Sequence, residues 1–301
     1  MRIGVSLASA QFVDDHREGA HNIVERARAA LTAELDWLTI GDQHAAGIPY
    51  YANVPMMARL LAEWPADRQA GLLFLLPLWH PVLAAEQIGT LATLSDVPLI
   101  VQTGVGGGTA QFAAMGREMR RRGGDLDESI RVIKGLLAGE TIDSERFGLT
   151  GATVAPRPAL GVEWWIGSSA PKTMARAARE GDVWYGNAHL TPSMAAESLD
   201  LYRRACDEIG ATPRAVIRKD IVILDDESRA RRLGDEMIEQ GYRGFEADAV
   251  AYGGVDQVTE QLAVYRDLGF DGVMVRCMAV PQPDAVESLT LAGRVRANLA
   301  S

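Results

Sequence analysis

The chain has few cysteines, no long apolar run and fewer basic than acidic residues. Its 301 residues include only two cysteines, Cys206 and Cys277, which show neither metal-ligand spacing nor a disulfide framework. No stretch reaches the roughly 18 consecutive apolar residues of a membrane span. Basic residues are in deficit, 30 against 40 acidic residues, and the net charge of −10 argues against a nucleic-acid partner. Secreted disulfide-rich, membrane-spanning and nucleic-acid-binding classes are therefore disfavoured, and we interpret the cysteines as packed core residues.

The N-terminus begins directly with a strand pattern at Ile3, Val5 and Leu7, without the basic and long apolar regions of an export signal. We therefore expect a cytoplasmic protein. With 48% hydrophobic residues the chain can bury a large core. Its length fits one α/β barrel, which takes about 250 residues or more. Because no linker, low-complexity segment or composition break interrupts it, we predict a single domain over residues 1–301.

Strand and helix patterns alternate along the whole chain, which is typical of a parallel sheet. Eight such units in a row predict a closed (β/α)8 TIM barrel rather than an open doubly wound sheet. An open dinucleotide-binding sheet would also need glycines after the first strand, and residues 5–11 contain none. The predicted strands are Arg2–Ala8, a strand within Asp36–His44, Gly71–Leu78, Pro98–Thr103, Glu163–Ile166, Asp182–Gly186, Ala215–Leu224 and Phe270–Cys277.

The second predicted strand ends in three polar residues, Asp42, Gln43 and His44. Barrel enzymes place their chemistry at the carboxyl ends of the strands, so this cluster is the first candidate for a catalytic site. Successive strand residues point to opposite faces, and we therefore expect only one of Gln43 and His44 to face a ligand. A structural role for the histidine is the alternative.

The glycine run Gly104-Val-Gly-Gly-Gly108 follows the fourth strand and precedes a helix. Thr109 stands where the third glycine of a dinucleotide fingerprint belongs, and the lysine of a P-loop is absent. Glycines here would still let a ligand approach the backbone closely. The run therefore predicts either close ligand approach or a tight turn alone.

The segment from Gly167 to Thr173 joins the fifth strand to a helix, and the amino end of a helix attracts anions. Ser168, Ser169 and Thr173 add hydroxyl groups and Lys172 adds positive charge. We interpret this turn as a phosphate site, with helix capping by Ser169 as the alternative. Near the other end of the chain, Arg276 could bind an anion or form a salt bridge.

Taken together, the strand ends resemble those of the bacterial luciferase-like family of flavin- or deazaflavin-dependent oxidoreductases. The resemblance covers nearly the whole chain and rests on the order and spacing of several short motifs. They are Trp37–His44, Leu76–Gln87, Gly104–Gly108 with Phe112 and Gly116, Leu126–Glu128, Ala155–Pro158, Trp165–Ser169 and Tyr265–Asp271.

The resemblance implies a flavin-dependent oxidoreductase, in particular a monooxygenase that uses reduced FMN and molecular oxygen on a small organic substrate. The flavin ring would rest against the third strand at Leu73 and Phe74, where relatives carry a bulge with a non-prolyl cis peptide, here within residues 72–75. Thr103, Gly104 and Gly106 would lie beside the ring, and the phosphate would bind the Ser168 segment. A homodimer and a separate flavin reductase are further expectations, without nucleic-acid or membrane partners.

Two departures from the family keep alternatives open. Many relatives have histidine at the position of Gln43, and glutamine cannot exchange a proton near neutral pH. The glycine run also lacks the acid that deazaflavin-dependent sugar-phosphate dehydrogenases place near Gly108 and the phosphate-binding arginine that luciferases place near Gly107. The alternatives are a deazaflavin-dependent reductase or dehydrogenase that transfers hydride, and a non-catalytic flavin-binding partner subunit.

Overall fold

The computed structural model describes residues 1–168 and 170–300, and the side chains of residues 171 and 172 lie outside that description. The strands are β1 (Arg2–Leu7), β2 (Leu38–Ile40), β3 (Ala70–Phe74), β4 (Leu99–Thr103), β5 (Ile142–Ser144), β6 (Leu149–Ala152), β7 (Val162–Gly167), β8 (Val183–Gly186), β9 (Ala215–Ile223), β10 (Val250–Gly253) and β11 (Gly272–Cys277). The helices are α1 (His16–Thr32), α2 (Asn53–Leu61), α3 (Pro81–Ala92), α4 (Thr109–Ala114), α5 (Arg122–Ala138), α6 (Pro171–Glu180), α7 (Pro192–Asp207), α8 (Glu227–Glu239), α9 (Val255–Leu268) and α10 (Gln282–Ala300).

Hydrogen bonds join the strands of the main sheet in the order β10-β9-β11-β1-β2-β3-β4-β7-β8, and β8 also pairs with β9. Eight strands therefore close on themselves, and β10 is attached to β9 as an additional strand. The pairs are parallel, as between β1 and β11 and between β3 and β4. The predicted α/β barrel is confirmed, because each parallel strand is followed by a helical crossover before the next.

The chain divides into two compact units, of which the first contains residues 1–8, 13–39 and those from 166 onward. Its interior is built from apolar strand residues that helices cover, with Ile217 and Ile221 on β9 and Val273 and Val275 on β11 fully buried. Burial of each such side chain contributes about 1.5–3 kcal/mol. Both cysteines are also buried in this unit, as the interpretation of them as core residues requires.

The second unit contains residues 9–12 and 40–165. Phe74 on β3, Val101 on β4, Ile88 on α3 and Ile130 on α5 form its fully buried core. The pair His80-Pro81 predicts a helix start, and helix α3 begins at Pro81, since the fixed φ of proline suits the first helical turn. Helix α5 ends at Gly139 in the left-handed conformation, at φ +90°.

Three local predictions differ from the structure. The sequence around Phe147 predicts a connecting region, but β5 and β6 form an antiparallel pair there. Strand β10, residues 250–253, was missed, since its four residues are too short for a period to show. The sequence over residues 111–121 predicts one helix, whereas the structure has the short α4 and a separate 3-10 turn, Met119–Arg121, because Gly116 at φ +64° ends the helical path.

The predicted bulge with a non-prolyl cis peptide at residues 72–75 is wrong. Strand β3 runs beside β4 in regular parallel register, from the pair Gly71 and Ile100 to the pair Phe74 and Thr103. Among the described residues the cis peptide bond lies elsewhere, between Ala155 and Pro156. In the described part of the chain, the helices are too short or too polar to span a bilayer.

Candidate active site

Asp42 lies two residues after the end of β2 and is the central residue of the candidate site in the second unit. Its side chain is only 2% exposed. One carboxylate oxygen, Oδ2, accepts hydrogen bonds from the Leu75 N–H and from the Trp79 indole Nε1–H, both at 2.8 Å. A buried carboxylate requires such donors, since an unpaired one would cost several kcal/mol or more. Asp42 therefore joins the end of β2 to the segment that follows β3.

The second oxygen of Asp42 faces His44. His44 Nε2 lies 3.2 Å from Asp42 Oδ1, although their relative direction does not form a hydrogen bond. The imidazole packs edge-on against the Trp79 ring, with 5.3 Å between the ring centroids, and its side chain remains 21% exposed. The structure therefore places a partly buried imidazole beside a buried carboxylate.

Gln111 on α4 connects His44 to the glycine run. Its Oε1 accepts the His44 backbone N–H at 2.9 Å, and its Nε2 donates to the Gly107 carbonyl at 3.0 Å. The glycine run and the Asp42–His44 segment are thus neighbours in the structure, as parallel strand ends should be. Sequence analysis missed Gln111, because a glutamine on a short helix carries no pattern that would single it out.

Thr103 and Gly104, at the end of β4, are tied to β3 through the Phe74 carbonyl. That oxygen accepts from Thr103 Oγ1 at 3.0 Å and from the Gly104 N–H at 3.4 Å. Thr103 is buried, so its hydroxyl has a structural partner. A Cβ atom at Gly104 would meet no atom within 4 Å, and the same holds for Gly107, so this backbone borders open space. Gly106 has φ +67°, which favours glycine for a second reason.

Gln43 and His44 differ in burial, although both lie beyond the end of β2 at Ile40. Gln43 is exposed, whereas Asp42 is buried and His44 is partly buried.

Leu73 lies on the same face of its strand pair as Gln102, since the two residues are paired in register, and Leu73 is only partly buried. The Gln102 amide Nε2 is buried without a hydrogen-bond partner. An amide in the apolar strand Leu99–Thr103 was the signal that could have identified it.

The predicted phosphate turn lies in the first unit, after β7. Gly167 is partly buried, and Ser168 is buried with its hydroxyl 3.0 Å from the Met174 sulfur and its carbonyl accepting the Trp184 indole N–H at 3.1 Å. Thr173 Oγ1 accepts the Ala170 N–H at 3.1 Å and donates to the Ala170 carbonyl at 2.7 Å.

Helix α6 has its N-cap at Ala170, one residue after the position required by the alternative of capping by Ser169. Ser169 itself and the side chain of Lys172 lie outside the described residues. The Ser168 and Thr173 hydroxyls both have partners within the chain. Phosphate binding at this turn therefore stays a prediction.

The sequence matches the family model of luciferase-like monooxygenases over residues 1–251. The chain belongs to this family. Solved structures of the same architecture agree with it. Monooxygenase RslO1 from Streptomyces bottropensis aligns over 100% of both chains with a TM-score of 0.84 at 17% identity. The oxygenating constituent of 3,6-diketocamphane monooxygenase from Pseudomonas putida, solved with FMN, aligns over 99% of both chains with a TM-score of 0.78 at 17% identity.

Curated relatives extend the comparison to deazaflavin enzymes. F420-dependent glucose-6-phosphate dehydrogenase 2 of Rhodococcus jostii is 25% identical over 195 residues, 60% of this chain and 56% of that protein. Uncharacterised mycobacterial proteins are 27% identical over 140 residues, 46% of this chain and 48% of theirs. The chain therefore spans about half the length of the curated relatives that it matches. Members of the family resembling this chain use either FMN or F420, so a flavin-type cofactor is supported.

Proposed function

We propose that the protein is a flavin-dependent monooxygenase that uses reduced FMN and molecular oxygen on a small organic substrate. The observation that carries the proposal is the Asp42–His44 pair beside the open backbone of Gly104 and Gly107. It combines a group that exchanges protons with a surface that a flat ring can approach. A separate flavin reductase would supply the reduced cofactor, and we propose a homodimer as the working form.

The residues of the second unit fit a flavin ring. The open space over Gly104 and Gly107 would admit a planar group without a steric clash. The unpartnered Gln102 amide could donate to a ring carbonyl, and the half-buried Leu73 offers an apolar surface on the same strand face. Buried polar groups without partners are rare in native proteins, and a ligand is one of their common explanations. Phe74 and Thr103 would act indirectly, since their polar atoms already bind each other.

The proposal assigns a role to each residue of the candidate site. Bound reduced flavin would supply two electrons to molecular oxygen, so that one oxygen atom could enter the substrate and the other leave as water. His44 would hold or deliver a proton at Nε2, and Asp42 would keep the imidazole in place while its other oxygen fixes Trp79. Trp79 would limit water access at the imidazole face. Gly167, Ser168, Ser169, Lys172 and Thr173 would bind the cofactor phosphate, as the family resemblance implies. Gln43 is exposed, and we assign it no proton transfer.

A second candidate is an F420-dependent reductase or dehydrogenase, and the similarity to the Rhodococcus jostii enzyme favours it. The test is the affinity of the purified protein for reduced FMN and for F420, measured by fluorescence titration. We expect FMN to bind more tightly. A preference for F420 of more than about tenfold, or 1.4 kcal/mol, would overturn the assignment in favour of hydride transfer.

The identity of a cofactor that copurifies with the protein gives an independent test, read from its mass and its absorbance spectrum. A non-catalytic flavin-binding subunit is the third candidate, since Gln43 replaces a histidine found in many relatives. It would be supported if bound reduced FMN were reoxidised rapidly without product from any substrate while the chain associated with a second, different chain.

A further inference from the structure

A cluster of four charged side chains and one tyrosine in the first unit has no role in the proposed proton chemistry. We call it the arginine cluster, and its members are Arg218, Asp220, Arg276, Tyr242 and Arg243. Arg218 and Asp220 share one face of β9, because they are two residues apart. Arg276 on β11 pairs in register with Asp220. Tyr242 and Arg243 come from the 3-10 turn Tyr242–Gly244 that follows α8.

Positive charge exceeds negative charge in the arginine cluster. Asp220 is fully buried, and its Oδ2 accepts from Tyr242 Oη at 2.9 Å and from Arg243 Nη1 at 2.8 Å. Its Oδ1 lies 3.6 Å from Arg218 Nε, too far for a hydrogen bond. The arginine cluster thus contains three guanidinium groups and one carboxylate, which leaves an excess of two positive charges.

Neighbouring groups do not cancel this excess. Burial, followed by the positive charges of Lys219, Arg218 and Arg243, lowers the pKa of His189, which favours its neutral form, and a neutral imidazole does not offset the excess. Lys219 projects from the opposite face of β9, where its ammonium donates to the carbonyls of Ala188 at 3.2 Å and Leu190 at 2.6 Å. A concentrated positive charge in a protein of net charge −10 calls for a specific partner.

Two guanidinium groups of the arginine cluster also have buried donors without acceptors. The Nε atoms of Arg218 and Arg276 are buried and make no hydrogen bond. Burial lowers the pKa of Arg218 and is the largest cause; Tyr185 and Asp220 oppose this shift, and the charges of Arg276 and Arg243 add to it. Guanidinium groups stay charged in proteins, so the two side chains keep this unfavourable arrangement unless an anion joins them.

We propose that Arg218, Arg276 and Arg243 bind an oxyanion group, such as a carboxylate or a phosphate, carried by the organic substrate. Guanidinium groups bind both kinds of oxyanion through paired N–H donors, so the chemistry is shared. A ligand can reach the cluster, because the side chain of Arg218 is 22% exposed and that of Arg243 is 37% exposed. The identity of the anion as part of the substrate rests on the proposed function, whereas anion binding itself does not.

The first arm of the test measures binding of inorganic phosphate, and separately of acetate, to the cofactor-free protein by calorimetry at constant ionic strength. We expect saturable binding that the variant Arg276→Gln weakens at least tenfold, or about 1.4 kcal/mol. The matched control is Arg294→Gln on α10, whose side chain is 64% exposed and 3.5 Å from Asp225. Absence of saturable binding, or equal weakening in both variants, would overturn the proposal.

Thermal unfolding measurements show whether the variant Arg276→Gln is folded. Because Arg276→Gln removes an unpaired positive charge, we expect its Tm without anion to equal or exceed that of the unmodified protein. Phosphate should then raise the Tm of the unmodified protein more than that of the variant, by the linkage of binding to stability. A variant whose Tm falls but which still binds phosphate normally would show a structural role for Arg276 and contradict an anion site.

The second arm distinguishes the substrate's anion from the cofactor's phosphate by comparing the affinities for FMN and riboflavin. We expect Arg276→Gln to leave the ratio of these two affinities unchanged within about threefold. If the variant binds FMN no better than riboflavin, the cluster holds the cofactor phosphate and the substrate assignment is wrong. Failure of both flavins to bind would refute the proposed function while the phosphate measurement of the first arm still stands.

Discussion

At the scale of single residues, the contacts of Asp42 and His44 decide which side chain can move a proton. Family resemblance placed both Gln43 and His44 at the reactive edge, but the structure exposes Gln43 and sets His44 against a carboxylate. The strand period predicted that the two would diverge, although it could not say which would face inward. That choice depends on the turn after β2, where Ala45 takes φ +46°.

The first prediction concerns His44→Ala with Gln43→Ala as its matched control. We expect His44→Ala to slow the reoxidation of bound reduced FMN by about 100-fold, since positioned proton transfer contributes 10²–10⁴-fold in enzymes. Gln43→Ala should stay within about twofold of the unmodified protein. Stopped-flow absorbance gives the rates, and flavin affinity should change little in either variant. The reverse order of effects would assign the proton to Gln43's position and contradict the site described above.

The second prediction is a pH dependence at Glu128. Hydrogen bonds from Arg131 and Ser144 at 2.7 and 2.6 Å accompany a fall in the pKa of this carboxyl to about 2, with the Arg131 bond as the largest cause. A lowered pKa means that the unfolded chain binds the proton more readily, so the contribution to stability is present above pH 4.5 and disappears as the pH falls towards 2.

Glu128→Gln should therefore lower the free energy of unfolding by about 1–2 kcal/mol at pH 7, a value reduced for solvent screening at this partly exposed pair. The difference from the unmodified protein should shrink steadily between pH 4.5 and pH 2. Urea titrations at several pH values provide the measurement. A difference that is constant over that range would show that packing rather than ionisation stabilises the contact.

At the scale of elements, the pairing of β3 with β4 positions the candidate site. The close approach of these two strands depends on Gly71. A Cβ atom at this position would lie 2.0 Å from the Ile100 carbonyl oxygen, which is backbone and cannot turn aside. The two strands carry Phe74, Thr103 and Gly104 at their ends. Any separation of the strands would therefore disturb the hydrogen bonds that join the glycine run to β3.

The third prediction is that Gly71→Ala destabilises the protein by about 3 kcal/mol, the upper range for overpacking of a close contact. Gly123→Ala on α5 is the control, because a Cβ atom there meets nothing within 4 Å and alanine should stabilise the helix by about 0.5–1 kcal/mol. Chemical denaturation with circular dichroism would measure both. If Gly71→Ala were neutral, the register of β3 against β4 would have to be looser than the structure indicates.

At the scale of the whole molecule, charge is the property that follows most directly from composition. The net charge of −10 and the isoelectric point near 5.1 disfavour nonspecific aggregation at pH 7. The fourth prediction is a solubility minimum near pH 5, which light scattering between pH 4 and pH 8 would detect. A minimum above pH 6 would require large shifts in the pKa values of many carboxyl groups.

Local patterns along the chain were enough to predict the fold class, because eight alternating strand and helix units, without dinucleotide-binding glycines after the first strand, favour a closed barrel over an open doubly wound sheet. They also determined that Asp42, His44 and the glycine run would lie at strand ends, which follows from the local order of residues. Tertiary structure alone decided that Gln111 would join His44 to Gly107 and that Ser168 would turn its hydroxyl inward to Met174. Only the pairing of β9 with β11 brought Arg276 level with Asp220. Such contacts depend on the register and approach of segments far apart in the chain, and no local pattern of residues encodes them.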